Sequence, residues 1–272
     1  MNVILRKLRA AKNILKRNYA WHRDTYCCRK RIHSRELLTI SDKNILILAP
    51  HSDDEWIGCS QLLKKGNNNV VVLNFDMPGG DNKELHTVRY QEMKNTAATV
   101  GYTFITVRQD KGNWLLEYIN SNRIDIVFLP CYYDWHKEHF FVMECFKEAA
   151  RKAHYTGLVG MYQVSLPIPV SMINYCSLMS KADARKKWAD LKRFYPSQSF
   201  LPIKRFMLNE HINGKINNAY SIEAYSVKSF EIWQREYHDK RLTENDKEFF
   251  KKNLQNISLV RQHLKSKYEE VQ

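Results

Sequence analysis

Asn44-Ile-Leu-Ile-Leu-Ala49, followed at once by Pro50-His-Ser-Asp-Asp-Glu55, is the stretch on which the fold turns. An unbroken apolar run of strand length, with no polar alternation, predicts a strand buried on both faces, as in a parallel sheet. The same kind of strand recurs downstream over 70–75, 103–107, 125–130 and 158–164. Helical spacing fills the gaps, over 56–65 with a stop at Gly66, 85–100 with a stop at Gly101, 114–120 and 136–153. Pro78, Gly79 and Gly80 make 76–81 a loop. Strands alternating with helices at this spacing, joined by right-handed crossovers, give the fold class α/β: a Rossmann-like, doubly wound, mostly parallel sheet with helices on both faces. Beyond Val164 the pattern is less regular. A strand is expected within 169–178, a charged helix over 181–194, a strand or short helix over 224–233, and a helix with a frayed end over 242–271. The chain divides into a basic extension (1–40), the sheet domain (41–240) and a helical tail (241–272).

With 272 residues, 44% hydrophobic and 26% charged, the chain has enough apolar material for a buried core. No run approaches the roughly 18 apolar residues of a membrane span. The N-terminus lacks the apolar h-region of a secretory signal. Cys27, Cys28, Cys59, Cys131, Cys145 and Cys176 form no CxxC pair, which speaks against a zinc ribbon and for reduced thiols. The formal net charge is +14, and before Thr39 eleven Lys and Arg are opposed only by Asp24 and Glu36. In that segment Ile4, Leu8, Ala11 and Leu15 recur at helical spacing among basic residues, a basic amphipathic helix. Two readings stand: peripheral contact of residues 1–35 with an anionic membrane surface, or a helix packed on the protein's own body. Charge confined to one short segment, with no nucleic-acid motif, argues against a nucleic-acid partner.

Two polar clusters carry chemistry, and each follows a predicted strand, where open α/β sheets form their sites. In the first, His51 and Asp54 are three apart, so one tight turn can aim both at a Zn²⁺ or Fe²⁺ ion. Asp53 between them is suited to take a proton from water. In the second, Asp134-Trp-His-Lys-Glu-His139, one of His136 and His139 would complete the ligand set. The other would stabilise an oxyanion or protonate a leaving amine. Asp134 and Glu138 are the candidates to orient these imidazoles. Taken singly, the first cluster also reads as a helix N-terminus and the second as surface histidines. Their common placement after strands of one sheet favours a metallohydrolase.

At these residues the chain resembles the PIG-L/LmbE family of metal-dependent N-acetylglucosaminyl deacetylases. The family's Ala-His-Pro-Asp-Asp-Glu motif is similar to Ala49-Pro50-His51-Ser52-Asp53-Asp54-Glu55, and its His-Pro-Asp-His to His136-Lys137-Glu138-His139. Arg89-Tyr-Gln-Glu92 and Tyr195-Pro-Ser-Gln198 agree in order. The resemblance, over roughly 44–233, implies zinc ligands His51, Asp54 and His139. It also implies Asp53 as general base, His136 as acid or oxyanion stabiliser oriented by Asp134, and Arg89 as a substrate contact. The alternative for Arg89 is a salt bridge with Glu92. Ser52, Lys137 and Glu138 depart from the pattern. They loosen a turn and lengthen an orienting carboxylate, leaving the ligands in place. Asp110 reads as a solvated loop residue, Trp135 as a packing residue or a sugar platform, and Cys59 and Cys131 as core.

The expected activity is therefore removal of the N-acetyl group from an N-acetylated amino sugar with release of acetate. The expected cofactor is Zn²⁺, or Fe²⁺ in the cell. An anionic or lipid-linked glycoconjugate of envelope polysaccharide synthesis is the preferred substrate class, and a thiol-linked glucosamine precursor the second. The expected location is cytoplasmic, or peripheral on the inner membrane surface. The contrasting reading is a catalytically silent metal-site scaffold, a binding module associated with a membrane or glycosyltransferase.

Overall fold

The computed structural model describes residues 3–64, 67–77 and 83–269. In chain order it comprises α1 (Val3–Lys30), β1 (Asn44–Ala49), α2 (Asp54–Lys64), β2 (Asn69–Asn74), α3 (Lys83–Val100), β3 (Thr103–Thr106), α4 (Lys111–Ser121), β4 (Ile126–Pro130), α5 (Lys137–Lys152) and β5 (Leu158–Tyr162). There follow β6 (Tyr175–Met179), α6 (Lys181–Phe194), α7 (Ile203–Gly214), β7 (Ser221–Ser229), α8 (Phe230–Asp239), α9 (Glu244–Asn253) and α10 (Ile257–Glu269).

The seven strands form one sheet of order β3-β2-β1-β4-β5-β7-β6. The first five in that order are parallel, while β7 runs antiparallel to both β5 and β6. The alternation of side chains across β1 feeds two cores. Leu46 and Leu48 join Val127, Leu129 and Met161 on one face, and Ile45 and Ile47 join Ile126 and Phe128 on the other. Both faces are covered, as the continuous apolar strands required. The chain winds outward from β1 to β3, then returns to begin β4 on the other side of β1. The crevice between β1 and β4 is thus the topological switch point, where such sheets bind ligands.

Differences from the sequence reading have local causes. Helix α2 starts at Asp54 rather than two residues later, because the Asp54 carboxylate accepts the backbone N–H of His51 at 2.9 Å and closes the first turn. The expected stop at Gly66 and loop positions 78–81 lie outside the described residues. The strand expected over 169–178 is shortened to β6 behind a 3-10 turn, Val170–Met172, whose end is held by Arg35 Nη2 donating to the carbonyls of Val170 (2.7 Å) and Ile173 (2.5 Å). The ambiguous 224–233 stretch is both alternatives in succession, strand β7 and then helix α8, with Ser229 capping α8 through Ile232 N–H. The single terminal helix is two. A Thr243–Asp246 capping box opens α9, and Asn256 Oδ1 accepts Leu259 N–H as α10 begins. Helix α7 was not anticipated.

Helix α1 fits neither expectation whole. Leu5, Leu8, Ile14, Leu15 and Tyr19 are exposed, whereas Asp24 and Cys28 are buried where the helix meets α7 and α10. Among the described residues, no helix is long and apolar enough to cross a membrane. All six cysteines are free thiols.

Candidate active site

The turn after β1 places His51 and Asp54 at the head of the crevice, and the turn after β4 brings His139 across to them. His51 Nδ1 lies 3.2 Å from Asp54 Oδ2, His139 Nε2 lies 3.4 Å from the same oxygen, and the two imidazole nitrogens are 3.3 Å apart. Three donors at these separations are equidistant from a point about 2 Å from each, close to the bond lengths of Zn²⁺ to imidazole nitrogen and carboxylate oxygen. Among the described residues this is the one cluster of three His, Cys, Asp or Glu side chains that meets so closely. The donor set therefore fits a divalent cation with an open position.

Asp134 organises the second half. Its Oδ1 accepts the N–H groups of Trp135 (2.7 Å) and His136 (3.1 Å), and its Oδ2 accepts that of Ser165 (3.3 Å) and lies 3.2 Å from His139 Nδ1. A carboxylate on Nδ1 leaves Nε2 free to ligate, the usual carboxylate–histidine–metal arrangement. Burial works against the charged form of His139, but Asp134 and Asp54 outweigh it and push the imidazole up to about 10. Burial likewise opposes ionisation of Asp134 and Asp54, yet His139 holds both well below the usual carboxylate range. Glu138 makes no hydrogen bond to either imidazole among the described residues, so the orienting role expected of it falls to Asp134 alone.

Asp53 is buried beside this triad, at 5% exposure. Burial, and then the negative charges of Asp54 and Glu55, raise its pKa well above the ordinary value, against the pull of Arg89 and His139. Its backbone holds φ at 142°, a conformation that favours glycine. Glu55 behind it accepts Asp53 N–H at 3.2 Å and the hydroxyl of Tyr102 at 3.3 Å, together with that of Tyr195. Burial pushes Glu55 up to about 7. His136 stands at the rim as the N-cap of α5, its ring centroid 5.0 Å from that of His139 and 6.1 Å from that of His51. Burial, ahead of the opposing Asp134, lowers its pKa and so favours the neutral imidazole.

The weaker sequence features interlock with the stronger. Arg89 meets Gln198, and with the amide oxygen turned toward the guanidinium the contacts are 2.8 Å to Nε and 3.2 Å to Nη2. Glu92 accepts the N–H of Ser197 at 2.9 Å and its hydroxyl at 2.5 Å. With the Tyr195–Glu55 bond, the 89–92 and 195–198 segments lock α3 and the end of α6 to the first cluster. Ser52 does not loosen its turn. It is buried, and Asn74 Nδ2 reaches its hydroxyl at 3.4 Å.

Sequence reasoning missed Arg205, in the first turn of α7. Its Nε is buried without a hydrogen-bond partner among the described residues, and Asp134 is the charge that acts on it. Asp110 is exposed at the N-cap position of α4, makes no side-chain capping bond and accepts from Asn113 Nδ2 at 2.8 Å. Trp135 is partly buried beside His136. Cys59 and Cys131 are core residues.

By sequence the chain matches no protein-family model and no curated protein. Solved structures do match. The conserved protein TT1542 from Thermus thermophilus superposes with a TM-score of 0.51 at 18% identity, over 68% of this chain and 94% of that one. The A40926 pseudoaglycone deacetylase Dbv21 gives 0.51 at 16%, over 69% and 98%. The zinc-inhibited form of teicoplanin deacetylase Orf2 gives 0.50 at 13%, over 68% and 98%. The chain thus has the α/β fold of these structures, the fold that its sequence clusters led one to expect.

Proposed function

We propose that the chain is a divalent-metal-dependent N-deacetylase, with His51, Asp54 and His139 as the ligands of zinc or iron(II). The observation that carries this reading is the 3.2–3.4 Å triangle of His51 Nδ1, Asp54 Oδ2 and His139 Nε2 beside the buried Asp53. A cation held there supplies Lewis acidity, polarising an amide carbonyl and lowering the pKa of water.

The side chains supply the proton chemistry and the positioning. Asp53, with its raised proton affinity, takes a proton as water adds to the acetamido carbonyl and delivers it to the departing nitrogen, so that acetate and a free amine are released. His136, neutral and at the rim, donates a hydrogen bond to the carbonyl oxygen as negative charge develops there. Asp134 fixes the orientation of His139. Arg89, held by Gln198, and Arg205, with its uncommitted Nε, offer donors to the hydroxyl and anionic groups of the substrate.

The acyl donor is an N-acetylated amino sugar, and water is the acceptor. Two of the structural neighbours bear the names of deacetylases, one of teicoplanin and one of the A40926 pseudoaglycone, which agrees with a deacetylase reading. The net charge of +14 favours an anionic or lipid-linked glycoconjugate, as in envelope glycan synthesis, handled in the cytoplasm or at the inner membrane surface.

The test is metal content and acetate release from wild type and Asp53→Asn with a panel of N-acetylglucosamine conjugates. One equivalent of metal in both proteins and acetate from wild type only is expected, with kcat lowered roughly 10²- to 10⁴-fold by the loss of the general base. A reconstituted protein that binds no metal would overturn the reading. Metal without acetate across the panel would favour the silent scaffold.

A further inference from the structure

A second concave region, unrelated to the metal triad, opens between the end of α1, the loop after β5 and α10. It encloses about 410 Å³, within the size range of small-ligand sites. Four of its lining side chains are cations, Arg31, Arg35, Arg261 and Lys265, and among the described residues none is Asp or Glu. Asp24, one turn of α1 before the lining residue Cys28, is engaged by Arg23 Nη2 at 2.7 Å and by the Ser258 hydroxyl at 2.9 Å.

Arg261 and Arg35 at the cavity wall are held by dipoles, the carbonyls and amides of neighbouring residues. Arg261 donates from Nε to Asn209 Oδ1 (3.1 Å) and from Nη2 to Asn209 O (3.1 Å) and Asn213 Oδ1 (2.8 Å). Its Nη1 is uncommitted among the described residues. Burial pushes its pKa down to about 10. Arg35 likewise spends its Nη2 on the carbonyls of Val170 and Ile173. Arg31 is exposed and makes no side-chain hydrogen bond or ion pair among the described residues. A partly buried cation held in place by neutral acceptors, at the wall of a cavity, gains most from an anion that takes up its remaining donors. The apolar side of the wall, Ile32, Ile168 and Leu264, excludes water and strengthens that attraction.

We propose that this cavity is a binding site for a phosphoryl group, a diphosphate or phosphomonoester, held by Arg31, Arg35, Arg261 and Lys265. Guanidinium forks match phosphate oxygens two at a time, and an ammonium adds a point charge.

The test is titration calorimetry of the full chain with inorganic pyrophosphate, run beside flotation on phosphatidylcholine vesicles carrying phosphatidic acid. Two double variants are compared, Arg31→Ala with Lys265→Ala at the cavity and Lys12→Ala with Lys16→Ala on the exposed part of α1. The four positions are exposed, so neither pair disturbs the core. Saturable pyrophosphate binding, weakened roughly tenfold or more by the cavity pair and little changed by the α1 pair, is expected for a soluble phosphorylated ligand. Flotation lost only in the cavity pair, without pyrophosphate binding, would assign the phosphoryl group to a lipid headgroup. Equal losses in both pairs, or no binding in either arm, would overturn the proposal. Because the readout is binding, its failure is separate from a failure to release acetate.

Discussion

Asp53 occupies a backbone conformation, φ 142°, that costs a non-glycine residue on the order of 1–3 kcal/mol. Its buried carboxylate is also crowded by those of Asp54 and Glu55. Both costs vanish in Asp53→Gly. That variant is expected to melt a few degrees higher than wild type, since 1 kcal/mol corresponds to roughly 2–4 °C in a chain of this size, while releasing no acetate. An inactive variant that is also less stable would show that the strain has been misjudged. Arg205 supports a different kind of expectation. A donor that awaits substrate contributes to binding, so Arg205→Ala should raise KM about tenfold or more with kcat nearly unchanged. Steady-state kinetics on an N-acetylated sugar checks this, and a fall in kcat alone would reassign the residue. The two positions also mark what single residues reveal in sequence. His51, Asp53, Asp54, Asp134, His136 and His139 are legible because they crowd into two short turns, each directly after an apolar strand. Arg205 sits alone in an unremarkable helical turn, and only the fold brings it to Asp134. The Ser52 substitution looked like a loosening until the structure supplied Asn74 from the end of β2.

At the scale of elements, the site rests on helices held together by a buried ion cluster. Lys187 of α6 is fully buried and donates to Glu210 of α7 (2.5 Å), Glu223 of β7 (2.6 Å) and the carbonyl of Ile57 in α2 (2.7 Å). Glu223 also accepts from Ser60 Oγ at 2.6 Å and Gln61 N–H at 2.9 Å, and Glu210 from Trp188 Nε1 at 2.8 Å. The cluster thereby anchors α2, whose first turn carries Asp54. Removing the ammonium leaves two carboxylates buried together. Lys187→Met is expected to destabilise by about 3–5 kcal/mol in denaturant unfolding, and adding Glu210→Gln with Glu223→Gln should restore part of the loss. A Lys187→Met chain of unchanged stability would mean that the cluster does not hold these helices. The same cluster explains which elements could be read in advance. The parallel half of the sheet announces itself through unbroken apolar runs. Helix α7 buries Asn209, Glu210 and Asn213, so its hydrophobic period is broken on the face that packs, and it begins after Pro202 with no side-chain cap. Strand β7 carries Glu223 in its buried interior and runs straight into α8, which is why one stretch read as both.

Across the whole molecule, charge is sorted. Eleven of the 43 Lys and Arg crowd into residues 1–38, and more basic side chains line the cavity beside α10, whereas Asp53, Asp54, Glu55 and Asp134 are all buried at the switch-point crevice. Four carboxylates in one buried region repel one another; burial, and then this repulsion, raises the pKa values of Asp53 and Glu55, while His139 holds Asp54 and Asp134 low. A divalent cation would relieve that repulsion. Its ligands come from turns after two adjacent central strands, which come apart only when the sheet does, so metal affinity and global stability are coupled. Binding to the folded state alone stabilises by about 2.7 kcal/mol at a hundredfold excess over Kd, which corresponds to a rise in Tm of roughly 5 °C or more. Exhaustive chelation should therefore lower the Tm of the wild type by that amount, and added Zn²⁺ or Fe²⁺ should restore it. His51→Ala should melt near the chelated wild type and respond to neither treatment. Differential scanning calorimetry of the two proteins, each with and without chelator, separates the cases. A wild-type Tm indifferent to both chelator and metal would mean that the three donors hold no cation under these conditions, and the proposed chemistry would lose its Lewis acid.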